Sequence, residues 1–183
     1  MSISNWMSWE GGVDLVALTD ASLQMPNVIV HVARVVHTPV GSAPAGMIFW
    51  QPDANAAPVV MGFISSNPAV GAYFGPKIFA GTPFENAPVL EAEITVRGEG
   101  DQASARVVVA GHVFETSLTG LGDAGLISRD PAPTAPFHQQ GLERAASAAS
   151  LAVDGQAVNV IVPPVGISGG PAAVFSPNGL YAR

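Results

Sequence analysis

Four histidines, at positions 31, 37, 112 and 138, are the side chains whose ordinary pKa puts a charge change near neutral pH, so they lead the search for acid–base or metal chemistry. Their spacing gives no local site. His31 and His37 fall on one apolar run, and six residues of extended chain place them about 20 Å apart, too far to share one ion. His112 and Glu115 differ by an odd number, so a regular strand points them to opposite faces. A site would have to be assembled across strands, with His31, His112 and a carboxylate such as Glu93 as nominees and Tyr73 as a further acid or base. The expectation is that no metal is bound.

Other chemistries lack their residues. There is no Cys, hence no thiolate nucleophile, disulfide or Cys-based metal site. Gly166-Ile167-Ser168-Gly169-Gly170 has the outline of a nucleophile elbow but runs into Pro171 rather than a helix. Lys77 follows Gly75-Pro76, not a phosphate-loop glycine, so no nucleotide motif is present and no cofactor is expected. Asp53-Ala54-Asn55 begins a calcium-loop spacing and stops after two ligands.

The segment Gln51-Pro52-Asp53-Ala54-Asn55-Ala56-Ala57-Pro58-Val59 resembles the polar half of the mannose-binding pattern of monocot-type lectins, Gln-x-Asp-x-Asn-x-Val-x-Tyr. The resemblance implies a glycan site at Gln51, Asp53 and Asn55, whose amides and carboxylate would hold vicinal hydroxyls. Ala57 and Val59 replace the valine and tyrosine, and two prolines interrupt the strand; a turn accounts for the same residues. Aromatic residues offer a different handle. Trp50, Phe63, Tyr73, Phe74 and Phe79 crowd the central third and could line a cavity for an apolar ligand or form ordinary core. Trp6 and Trp9 would tie the N-terminal segment to the core or to a neighbouring subunit.

The elements that must position these residues read as mainly β. Pro and Gly recur from Pro26 to Pro88, which leaves room for short strands at 27–37, 45–50, 59–65 and 77–80 but not for a normal helix. Residues 89–110 alternate charged and apolar side chains about Gly100-Asp101, a hairpin pairing Glu99 with Gln102, Arg97 with Ser104 and Thr95 with Arg106. Glu93 then lies diagonal to Arg106. A third strand follows at 112–118, and Asp154-Gly155 marks a second hairpin. The alanines of 137–149 predict one short helix there, and 172–175 an edge strand. The expectation is one β-rich domain over 1–183, a β-sandwich or small β-barrel of about eight or nine short strands with that helix.

Composition narrows the partners. The chain has 183 residues, 48% hydrophobic and only 11% charged, with 14 acidic against 7 basic side chains. One lysine gives no basic patch, so nucleic acid is excluded as an expected partner. No apolar run reaches the length of a membrane-spanning helix, and the first ten residues show no ordinary signal peptide, so the default compartment is the cytoplasm with unconventional export left open. An uncharged, apolar-rich chain points first to a non-catalytic β-domain that works by self-association or protein binding, most simply as a homo-oligomer. The alternative is a small barrel that binds, and isomerises or cyclises, an apolar or aromatic molecule; the third reading is a glycan-binding module.

Overall fold

A computed structural model describes residues 5–133, 136–166 and 169–183. Among them are twelve strands and one α-helix. The strands are β1 Trp6–Ala17, β2 Val28–Thr38, β3 Gly41–Trp50, β4 Val60–Ser65, β5 Val89–Glu99, β6 Gln102–Val109, β7 His112–Thr119, β8 Gly125–Arg129, β9 His138–Ala145, β10 Ala148–Val153, β11 Gln156–Val158 and β12 Ala173–Ala182. They form one sheet in the order β11-β10-β7-β6-β5-β4-β3-β2-β1-β12-β9-β8. All pairs are antiparallel except β4 with β5, which are joined by the helix α1, Pro68–Ile78.

The sheet folds over on itself. Val13, Val30 and Ile48 from β1–β3 share a core with Ile94, Val107, Phe114 and Leu151 from β5, β6, β7 and β10, strands far away in the sheet order. The fold is thus mainly β and an open barrel, since β8 and β11 end the sheet without pairing to one another. It has more strands than the eight or nine expected.

A second core covers the other face of β1–β4. Ile29, Met47, Phe49 and Phe63 pack there under Val70 and Phe74 of α1 and under Phe79 just beyond it. Strands β2 and β3 are therefore buried on both faces, which explains their unbroken apolar runs Val28-Ile29-Val30 and Met47-Ile48-Phe49-Trp50. In β5 only Ala92, Ile94 and Val96 are buried, and the charged residues between them face solvent.

The hairpin expectations match the structure. Glu99 pairs with Gln102, Arg97 with Ser104 and Thr95 with Arg106. Gly100 at the turn has φ +59°, and the later turns use Ala110-Gly111 and Asp154-Gly155, all four residues at positive φ. Arg106 pairs with Glu115 at 3.9 Å, its neighbour on β7, rather than with Glu93.

The helix is the main correction. Residues 137–149, read as helical from their alanines, instead contribute strand β9 and the start of β10, because pairing with β12, β8 and β7 outweighs a per-residue propensity below 1 kcal/mol. The helix instead occupies 68–78, where Pro and Gly seemed to forbid one, and it takes in Lys77 and Ile78 of the strand expected at 77–80. Asn67 caps it by accepting from the Ala69 N–H at 3.0 Å, and Pro68 fills the first turn, where no N–H is needed. Gly75 is there for contact: a Cβ on it would lie 2.1 Å from the buried Phe63 ring. Pro76 sits late enough to disturb only the final turn.

Two further strands differ from expectation. β1 is a long strand where the N-terminal segment showed no strand pattern, because alternation switches at Gly11, which has φ +64°. Met7 and Trp9 before it, and Asp14 after it, line the same covered face. β12, expected as an edge strand at 172–175, lies between β1 and β9.

Candidate functional site

Between α1, the covered face of β1 and β2, and the strands β8, β9 and β12 lies a cavity of about 350 Å³. Val16, Ile29, Ile78, Phe79, Phe137 and Pro171 supply apolar wall, and Asp14, His31, Lys77, Arg129, Gln139, Glu143 and Tyr181 supply polar groups. Behind it a pocket of about 30 Å³ is reached through shared residues, Asp14, His31, Gln139, Glu143 and Tyr181, which form the floor of the larger space.

His31 on β2 stands opposite Asp14 on β1, and their side chains are hydrogen-bonded through His31 Nδ1 and Asp14 Oδ1. The imidazole is held between aromatic rings, stacked on Phe74 at 5.9 Å and edge-on to Phe79 at 5.6 Å. Burial works against its positive charge, but the Asp14 carboxylate and the hydrogen bond to it together outweigh that cost and raise the His31 pKa above the ordinary 6.5. Tyr181 on β12 packs against Trp9 with ring centroids 4.7 Å apart. Burial first, and the Asp14 charge second, push its hydroxyl well above the usual range, so it stays protonated.

Arg129 on β8 and Glu143 on β9 meet in a two-bond pair at 3.0 Å each, and Arg129 also donates to Gln139 Oε1 at 3.1 Å. Both side chains are largely buried, so each charge needs the other. Lys77 projects from the last turn of α1, with Nζ donating to the Tyr73 carbonyl at 3.3 Å and lying 3.7 Å over the Tyr73 ring. Burial lowers its pKa from 10.5.

Of the residues nominated from sequence, His31, Phe74 and Phe79 come together here, with Phe63 beneath Phe79 and Tyr73 beneath Lys77. Trp50 belongs to the opposite core. The cross-strand cluster of His31, His112 and Glu93 is not formed. His112 is bound to Asp154 at 2.8 Å at the far hairpin, and Glu93 faces solvent on β5. Among the described residues no group of three His, Asp or Glu side chains is placed to hold a metal ion. Gln51, Asp53 and Asn55 lie beyond the end of β3: Gln51 donates to the Ala56 carbonyl and Asp53 accepts from the Asn55 N–H, so the alternating strand face of the lectin pattern is missing. Ile167 and Ser168 of the elbow-like segment lie outside the described residues.

Sequence reading missed Asp14, Arg129, Gln139, Glu143 and Tyr181, and weighed Lys77 only as evidence against phosphate binding. One signal was present. Asp14 is a single carboxylate inside the apolar run Val13–Leu18, and an isolated charge in such a run calls for a buried partner.

No protein-family model matches the chain, and no curated protein does. Among solved structures, the crystal structure of acetoacetate decarboxylase from Legionella pneumophila is similar at a TM-score of 0.38 and 10% identity, covering 98% of this chain and 86% of that one. Among the described residues no helix is long and apolar enough to cross a membrane.

Proposed function

We propose that this protein binds a small, largely apolar organic molecule between α1 and the sheet. The observation that carries the reading is the cavity of about 350 Å³, apolar over most of its named wall with a few polar groups at its floor. Ligand sites commonly occupy roughly 300–1,000 Å³ with this division of labour. Val16 supports the reading from the sheet side. It is buried yet lies outside both hydrophobic cores, so the cavity is what its side chain faces. N-Phenyl-1-naphthylamine, a neutral aromatic probe that brightens out of water, is expected to bind the wild type and to lose about tenfold in affinity with Val16→Phe, which fills the space. Equal binding by both proteins would reject the cavity as the site.

Self-association remains a second reading on one observation. Leu126 is 80% exposed on β8, the strand that ends the sheet. An end strand with a large apolar side chain is suited to pairing with another copy. Sedimentation of the wild type against Leu126→Lys tests it: a dimer that becomes a monomer supports the reading, and a wild-type monomer at high concentration removes it.

A further inference from the structure

We propose that the ligand of this cavity carries one anionic oxygen group, held by His31, Tyr181 and Lys77, and that deprotonation of His31 weakens its grip. The proposal rests on the small-molecule reading above and specifies the ligand's charge.

The polar atoms of the cavity divide into those already satisfied and those left over. Arg129 donates to both Glu143 carboxylate oxygens and to Gln139 Oε1. Asp14 is engaged by His31 Nδ1. Asp130, at the exposed margin, pairs with His138 at 3.4 Å. Left over as donors are His31 Nε2, the Tyr181 hydroxyl and Gln139 Nε2, none with a hydrogen-bond partner among the described residues, and Lys77 Nζ, which has no carboxylate within ion-pair distance among them. Tyr181, Gln139 and Lys77 donate as they stand, and His31 Nε2 does so when the ring is protonated. With His31 protonated, the Asp14–His31 and Glu143–Arg129 pairs cancel, which leaves Lys77 inside the cavity and Asp130 at its exposed margin. Donors that share one cavity, two of them on side chains that carry positive charge, are complemented by an oxyanion, whose charge-assisted hydrogen bonds are stronger than neutral ones.

The pH sensitivity follows from which nitrogen holds the proton. With Nδ1–H directed at Asp14, a neutral His31 presents a lone pair at Nε2 and repels an anion; a protonated ring presents N–H and a charge. The titratable and charged groups around it are Asp14 from β1, Tyr181 from β12, Glu143 from β9, Arg129 from β8 and Lys77 from α1, with Asp130 and its partner His138 at the margin. Opposite His31 on β3 stands Met47, which does not titrate. Arg129 and Glu143 hold each other in a two-bond pair and burial keeps Tyr181 protonated, so the pH step is assigned to His31, the histidine that lines the cavity. Its pKa lies above 6.5, so anion binding is full below that value and is lost as pH rises through the His31 pKa.

The test compares two probes with one aromatic frame, 1-anilinonaphthalene-8-sulfonate and the uncharged N-phenyl-1-naphthylamine, titrated from about pH 5.5 to about pH 9. The sulfonate is expected to bind about tenfold more weakly at the alkaline end, while the neutral probe varies less than about twofold. Asp14→Asn removes the carboxylate that favours protonated His31, so the midpoint moves to lower pH; His31→Gln removes the step; Lys77→Met weakens the sulfonate about tenfold below the midpoint. The unfolding transition of each variant shows whether it is folded, and Asp14→Asn, which preserves shape, carries the test if His31→Gln is not. A flat sulfonate profile, a step that survives in folded His31→Gln, or sulfonate binding unchanged by Val16→Phe would overturn the proposal. With the neutral probe bound normally, that failure leaves the small-molecule reading standing; if neither probe binds, both fall.

Discussion

The hairpin strands β5–β7 and the strands β1–β4 belong to one sheet yet live in different solvents. The first present one face to the interior and the other to water, so Glu91, Glu93 and Arg97 alternate with Ala92, Ile94 and Val96. The second are covered on both faces, by the opposing sheet half and by α1. A doubly covered strand has no wet face on which a charge is cheap. Glu10, Arg34 and His37 pair on an exposed stretch of β1 and β2, but His31 and Asp14 lie on the covered stretch and need each other, and the helix above them encloses space instead of filling it. The candidate site sits where the sheet is covered twice.

Substitutions at matched depth sharpen that contrast. Phe63→Ala, on the helix-covered face of β4, is expected to cost about 3–5 kcal/mol in denaturant unfolding, because Phe63 is fully buried beneath Gly75 and Phe79. Gly75→Ala follows at about 1–3 kcal/mol of destabilisation, despite alanine's helix propensity of about 1 kcal/mol in its favour, since the new methyl meets the Phe63 ring. A stabilised Gly75→Ala would mean that α1 rides higher on the sheet than the structure shows. In the hairpin half the signs and sizes differ. The Thr116 hydroxyl is buried with no hydrogen-bond partner among the described residues, so Thr116→Val is expected to stabilise by about 1 kcal/mol. Arg106→Ala, on the wet face, removes an ion pair with both side chains more than half exposed and is expected to change stability by less than about 0.5 kcal/mol.

The same contrast decides what could be read from the residues alone. The β5–β6 hairpin was legible down to register and β7 as the strand after it, since a single wet face writes a period of two and Gly100-Asp101 marks the turn. In the covered half the period is erased by burial on both sides: Val28–Val30 and Met47–Trp50 announce strands but not which residue faces which core. The helix escaped because Gly71, Gly75 and Pro76 read as breakers, when Gly75 is a contact surface for Phe63. Tertiary pairing likewise overrode the alanines of 145–149. The site inherits both losses. His31, Phe74 and Phe79 were in view as types, but Asp14, Arg129, Glu143 and Tyr181 reach it from β1, β8, β9 and β12, strands that join only through long-range pairing.

The most direct test of the account is where a bound probe is felt. Backbone and side-chain chemical shifts recorded with and without N-phenyl-1-naphthylamine are predicted to move at Val16, Ile29, His31, Ile78, Phe79 and Tyr181, and to stay fixed along β5–β7. Shifts centred instead on the folded-over core around Phe114 and Thr116, or no shifts at saturating probe, would contradict it.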